Sequence, residues 1–149
     1  YGTIYSVIEL GKQLKELERR SSKMRLAAES WNKDWQTLVS TIMSARTRDE
    51  KTIPVASELF KKYSPNAIRW YLLSHHYRRP FDFEEEDLAQ AQKEVETIEK
   101  RLIDKDDSLL QKRFTAALDD DMGTPKALEI LKQNPHVKPF KTLGFMIEY

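Results

Sequence analysis

His75 and His76 stand side by side in the stretch SPNAIRWYLLSHHYRRPFDF, residues 64–83, together with Arg69, Arg78, Arg79, Trp70, Tyr71 and Tyr77. Adjacent histidines on a helix point about 100° apart and do not easily share one ion, and the i, i+4 spacing of a helical metal pair is absent. The pair therefore reads as hydrogen-bonded or surface histidines. The arginines and rings are another matter, because guanidiniums on phosphates and rings on bases are the ingredients of RNA contact. The competing reading makes Ile68, Tyr71, Leu72 and His75 a buried helix face and leaves the arginines solvated. Asp119, Asp120 and Asp121 could gather a divalent cation, but the alternating oxygens of a calcium loop are missing. Such a run more often ends one helix and helps to start the next.

Other chemistries are excluded by what the chain lacks. Its four glycines, at positions 2, 11, 123 and 144, make no phosphate-cradling loop. No serine is set in a recognisable nucleophile motif with a histidine and an acid. With no cysteine there is no disulfide, no thiolate zinc site and no iron–sulfur cluster. No catalytic residue, metal ligand or cofactor is assigned. The net charge of +1 gives no global field to select a polyanion, although 12 basic and 8 acidic residues up to Tyr63 give way to 13 and 16 beyond it. No apolar run approaches the roughly 20 residues of a membrane helix and no leader is visible, so the expectation is a soluble, cytoplasmic protein with no membrane partner. Opening on Tyr1 instead of Met, the chain reads as trimmed at its start.

The elements that must position these residues are helical throughout. Ile4, Val7, Ile8, Leu14 and Leu17 predict a helix over about 3–20. Trp35, Leu38, Val39, Ile42 and Met43 predict a second, capped by Asn32 or Asp34. Thr47 and Glu50 form a capping-box pattern, but a start at Thr52 keeps Pro54 in the first turn, with Val55, Leu59, Phe60 and Tyr63 buried. Ser64-Pro65 starts a helix that Pro80 stops. Asp82 and Glu85 cap the next, which buries Leu88, Ala91, Val95, Ile98 and Leu102. A shorter helix presents Leu110, Phe114, Ala117 and Leu118. Another runs from Thr124-Pro125 to about Gln133, and Pro135 and Pro139 leave the remainder irregular. The fold class is all-α, a helical bundle of about seven helices.

Two family resemblances follow from these strings. SPNAIRWYLLSHHYRRPFDF, continued to ALDDDMGTP, resembles the helical domain that follows the catalytic core of cysteinyl-tRNA synthetases, over residues 61–133, with the tail FKTLGFMIEY resembling a shortened C-terminus. This implies a bundle that packs on a catalytic core and presents a surface to tRNA, with Arg69, Tyr77 and Arg78 the positions to watch and Arg79 beside them. Two positions depart from the pattern: Asn66 stands where an aspartate is common, and Gly123 where asparagine is frequent. Residues 24–63, with STIMSARTRDE, resemble the early helices of archaeal endonuclease III-type DNA glycosylases. There Arg46 takes the place of a glutamine that fills the gap left by an extruded base.

Neither resemblance includes its family's chemistry. The HIGH and KMSKS signatures and zinc cysteines of the synthetase are missing, as are the catalytic lysine hairpin and cluster cysteines of the glycosylase. The expected organisation is a glycosylase-like helical fragment at 1–62 and a synthetase-like bundle at 63–149, joined at residues 61–65. A natural fusion, a recombined design and an engineered chimera would all look like this. The expected function is a non-catalytic helical module that contacts tRNA, with DNA the less favoured partner. The alternatives are a piece of a tRNA ligase or repair glycosylase active only with its missing parts, and a helical chimera without activity. An uncovered apolar stripe would drive homodimerisation.

Overall fold

A computed structural model describes residues 12, 15, 16, 26–29, 31–45 and 47–147. Among them lie seven helices: α1 (Asp34–Ser44), α2 (Asp49–Lys62), α3 (Pro65–Leu73), α4 (Glu85–Glu99), α5 (Ser108–Asp119), α6 (Thr124–Gln133) and α7 (Val137–Thr142). No strand occurs among the described residues, only an isolated parallel bridge between Ile103 and His136. The all-α expectation is met. Most of the helix expected over 3–20 lies outside the described residues, although Lys12, Lys15 and Glu16 are helical.

The chain divides into two compact units, Tyr1–Leu59 and Phe60–Tyr149. In the first, α1 follows Lys33 as its cap, not Asn32 or Asp34. Ser40 is fully buried, and its hydroxyl lies 2.7 Å from the Ala27 carbonyl and 2.8 Å from that of Gln36, so a polar group anchors this helix. The apolar stripe expected on α1 is only partly covered: Leu38 and Ile42 are 62% and 64% exposed. Helix α2 begins at Asp49, three residues before the expected start, with the amides of Lys51 and Thr52 donating to Arg48 O at 2.9 and 3.0 Å. Pro54 therefore sits inside the helix, where one backbone bond is lost. Val55, expected in the core, is exposed, whereas Ala56 and Thr52 are buried.

In the second unit α3 packs on α4 and touches α6, and α5 packs on α6. Ser64 caps α3 by accepting from the Ala67 amide at 3.1 Å, with Pro65 preset in the first turn. The helix ends at Leu73, well short of Pro80. The Ser74 hydroxyl bonds the Tyr71 carbonyl at 2.7 Å, and the His75 ring lies 2.8 Å from the same oxygen while stacking on Phe81 at 3.8 Å. These contacts turn the chain before proline can. Helix α4 starts after Glu84, so the Asp82–Glu85 box does not form; Glu85, Glu86 and Asp87 instead set three acids against the positive end of the helix dipole. Leu88, Ala91, Val95 and Ile98 form its buried face, joined by Leu110, Phe114 and Ala117 of α5 and Ala127, Leu128 and Leu131 of α6.

The segment expected to be irregular contains α7, because Pro139 falls in its first turn, where no backbone bond is forfeited. Its Phe140 stacks on Phe145 at 4.5 Å, and Phe145 meets Trp70 at 5.7 Å, so the tail closes the core of this unit. Leu72, expected in the core, is 51% exposed; Trp70 takes its place, 3% exposed.

Candidate nucleic-acid interface

The residues singled out by composition have different fates. Arg69, near the middle of α3, sends Nη1 to the Leu143 carbonyl at 3.3 Å. Its guanidinium lies over Gly144, whose φ of +78° puts it in the left-handed region, and a Cβ there would sit 2.6 Å from Nη1. Trp70 and Tyr71 are buried. The Trp70 indole donates to Glu94 at 3.1 Å, and the Tyr71 hydroxyl accepts from the Glu84 amide at 3.2 Å. Arg46 lies outside the described residues.

The turn after α3 gathers the rest. Asp121 is held at φ 51° and Met122 at φ 50°, two consecutive non-glycine residues in the left-handed region, in the turn that leads from α5 to Gly123 and α6. The Asp121 carboxylate accepts from the Tyr77 hydroxyl at 2.7 Å and from Arg78 Nε and Nη2 at 3.1 and 2.9 Å. His76 Nε2 is 3.8 Å from its other oxygen. The Arg78 guanidinium also sits 5.1 Å from the Tyr77 ring centroid, and the His76 and Tyr77 rings stack at 5.1 Å. Hydrogen bonds from Arg78, then Tyr77, hold the Asp121 carboxyl below the usual carboxylate range. The same bond to an anion raises the Tyr77 phenol.

Tyr77, Arg78 and Arg79 are exposed. Arg78 uses one edge of its fork on Asp121 and leaves Nη1 outside those contacts. Arg79 bonds through its backbone amide to His76 O at 2.9 Å, and its side chain has no partner among the described residues. No group of three or more potential metal ligands occurs among the described residues. The aspartate run ends α5 and leads into α6, with Asp120 also 3.8 Å from Lys126.

Three polar arrangements were not read from the sequence. The turn partner Asp121 reads from sequence only as a cation ligand or a helix end. Asn66, 6% exposed, donates to Glu99 Oε1 and to the Met146 carbonyl, both at 2.7 Å, and accepts from the Met146 amide at 2.9 Å. It borders a cavity of about 210 Å³ with Ser64, Leu102 and Ile147. Glu94 accepts from Trp70, Gln90 and Lys132, the last at 2.6 Å. Burial pushes its carboxyl up, but the bonds from Lys132, Gln90 and Trp70 prevail and leave it lowered. The exchange of asparagine for Gly123 also has a local cause: a Cβ there would come 2.6 Å from the Ala117 carbonyl.

Among known proteins, a family model described as tRNA synthetases class I (C) catalytic domain matches residues 24–93. Cysteine–tRNA ligase of Staphylothermus marinus is 32% identical over 87% of this chain and 31% of its own length. That of Legionella pneumophila (strain Corby) is 35% identical over 54% of the chain and 19% of its own length. The ligase of Cutibacterium acnes is 32% identical over 78% and 26%. The chain thus spans less than a third of the length of these curated relatives. No solved structure matches it. The synthetase match runs straight through residues 24–63 and across the junction expected at 61–65, so one family accounts for both sides. The glycosylase resemblance and the fusion built on it find no support. The protein carries a cysteinyl-tRNA synthetase-like segment.

Proposed function

We propose that residues 60–149 form a tRNA-contacting helical module of the cysteine–tRNA ligase type, without aminoacylation chemistry of its own. The observation that carries this reading is the turn after α3. It places Tyr77, Arg78 and Arg79 on the surface as a ring and two guanidiniums in succession, within a segment similar to enzymes named for acting on tRNA. Arginine forks and exposed rings are suited to a phosphate backbone and to unstacked bases. Arg78 and Arg79 are the phosphate-contacting residues and Tyr77 the stacking one, and a cytoplasmic location goes with this role. Arg69, bonded to Leu143, contributes by holding the turn's supporting helix.

Filter binding of cysteine-accepting tRNA transcript across a salt series tests the reading. The expected result is an affinity above that for an acidic homopolymer, with a salt slope that falls by about one for each arginine when Arg78→Ala and Arg79→Ala are introduced. Equal affinity for tRNA and the homopolymer, or a slope indifferent to both substitutions, would overturn it.

A second reading has an observation of its own. The family matched at residues 24–93 is a catalytic domain, and Leu38, Ile42 and Val55 leave apolar surface uncovered on α1 and α2. In this reading the chain works as one part of a larger tRNA ligase, and aminoacylation would be restored when the remaining parts are supplied in trans. Silence of the mixture, with tRNA binding intact, would favour the first reading.

A further inference from the structure

We propose that Asp121 is the positioning residue of the basic turn: its carboxylate locks Tyr77 and Arg78 into one unit and presents the free end of the Arg78 fork outward. The inference rests on the tRNA-contacting reading above and adds to it a residue from a distant part of the chain.

The geometry has three parts. One carboxylate takes three donors, the Tyr77 hydroxyl at 2.7 Å and two nitrogens of Arg78 at 3.1 and 2.9 Å. A guanidinium bound along its Nε–Nη2 edge has its plane fixed, and the remaining N–H bonds then diverge from the carboxylate. The Tyr77 ring, 5.1 Å from the Arg78 carbon, supplies the second wall. Both side chains are otherwise exposed, and a solvated arginine surrenders rotamer freedom when it binds. An arginine already held in place surrenders less. Finally, Asp121 and Met122 both adopt left-handed backbone, a conformation rare outside glycine, so the carboxylate is delivered to the turn by a backbone that is itself costly.

Asp121 could instead act as a competitor that must be displaced before Arg78 meets a phosphate. The two roles predict opposite signs. A competitor's removal tightens binding, whereas a positioning residue's removal weakens it, and only when Arg78 is present.

The test is a double-mutant cycle on the full chain with the same tRNA transcript. Asp121→Gly removes the carboxylate while suiting the left-handed backbone, so its effect is not added strain. Arg78→Ala and Asp121→Gly are each expected to weaken binding about tenfold, the scale of one charge-assisted hydrogen bond. The pair together should weaken it scarcely more than either alone. Asp121→Asn, which keeps an accepting oxygen and tolerates this backbone, should rescue binding to within about threefold of the parent. Nitrogen-edited NMR supplies a readout that general loosening would not produce: the Arg78 Nε–H resonance, slowly exchanging in the parent, should exchange with solvent in Asp121→Gly. Tighter or unchanged binding by Asp121→Gly, with Arg78→Ala still weakened, overturns the inference and leaves the tRNA reading standing. Losses that multiply to about a hundredfold in the double variant also overturn it. Arg78→Ala without effect removes the tRNA reading itself.

Discussion

Asn66→Asp changes one atom's chemistry at a site where every polar atom is committed. The asparagine amide donates twice, to Glu99 and to the Met146 carbonyl, and its oxygen accepts from the Met146 amide. An ionised aspartate keeps the single accepting role and loses both donations. The Met146 carbonyl would then face a carboxylate at a distance that suited a donor, as would Glu99 Oε1, with 6% of the residue in contact with solvent. Leaving a buried acceptor unpaired costs about 1–3 kcal/mol, and a poorly solvated charge against another carboxylate adds to it, so the expected total is about 3 kcal/mol. With a urea slope of about 2 kcal/mol/M the unfolding midpoint should fall by about 1.5 M at neutral pH. The sign of the pH dependence follows from the same geometry. Burial and Glu99 both oppose the new charge, raising the folded-state pKa of the introduced acid above its unfolded value of about 3.9. A group raised in this way favours the folded state below the unfolded pKa, and that stability is lost as pH rises through the folded pKa. The deficit relative to the parent should therefore shrink at about pH 4 and be complete at neutral pH. Urea melts followed by circular dichroism at both pH values measure it, with Asn66→Ala as a control that loses the same donations without adding a charge. Coincident midpoints at neutral pH, or a gap that ignores acidification, would refute the reasoning.

Gly144→Ala should lower stability by about 1–2 kcal/mol, from left-handed backbone and from displacement of the Arg69 guanidinium; in an Arg69→Ala background only the backbone part should remain, read from thermal melts. Glu94→Gln should alter the acid limb of stability. The lowered carboxyl contributes stability above its unfolded pKa of about 4.3 that is lost as pH falls through the folded value, so the variant's stability should change less with pH over that window in a pH-resolved melt. Phe114→Ala, at a fully buried position, should cost about 3–5 kcal/mol, whereas Leu72→Ala, at a half-exposed one, should stay within about 0.5 kcal/mol; chemical denaturation distinguishes them.

Element existence was legible wherever a single-residue rule acted locally. Ser64-Pro65 and Thr124-Pro125 start helices as their chemistry requires, and Leu88, Ala91, Val95 and Ile98 share the face their spacing assigns. Several of the differences depended on side-chain partners outside the helix concerned. The end of α3 at Leu73 is set by His75 stacking on Phe81, not by Pro80. Leu72 and Trp70 are both plausible core residues by type. The aromatic tail, with Phe145 against Trp70, decides in favour of Trp70. The candidate site shows the same division. Its arginines and tyrosine were visible as residue types, but Asp121, 43 positions beyond Arg78, was not visible as their partner. The early helices resembled a glycosylase because an amphipathic helix carries little family information, and only a match continuing across residues 61–65 could separate the two families.

Three arginines in one short stretch therefore call for three different experiments. Arg79 has a free side chain among the described residues, so Arg79→Ala isolates a surface charge and should leave melting unchanged within about 0.5 kcal/mol. Arg78 is exposed but committed along one edge to Asp121, so its removal alters both the charge offered to a ligand and the order of the turn. Arg69 contacts the tail at Leu143, and the tail fills the core with Phe140 and Phe145. Loss of that bond leaves the Leu143 carbonyl, in a buried residue, one donor short and should lower stability by about 1 kcal/mol. A fall in tRNA affinity in Arg69→Ala is then expected to accompany earlier melting and to diminish on cooling, where the folded population recovers. The corresponding loss in Arg78→Ala should persist at every temperature at which the protein is folded. If Arg69→Ala instead lost affinity with its melting curve intact, its guanidinium would belong with Arg78 and Arg79 on the nucleic-acid surface, and the assignment of Arg69 to the tail would be wrong.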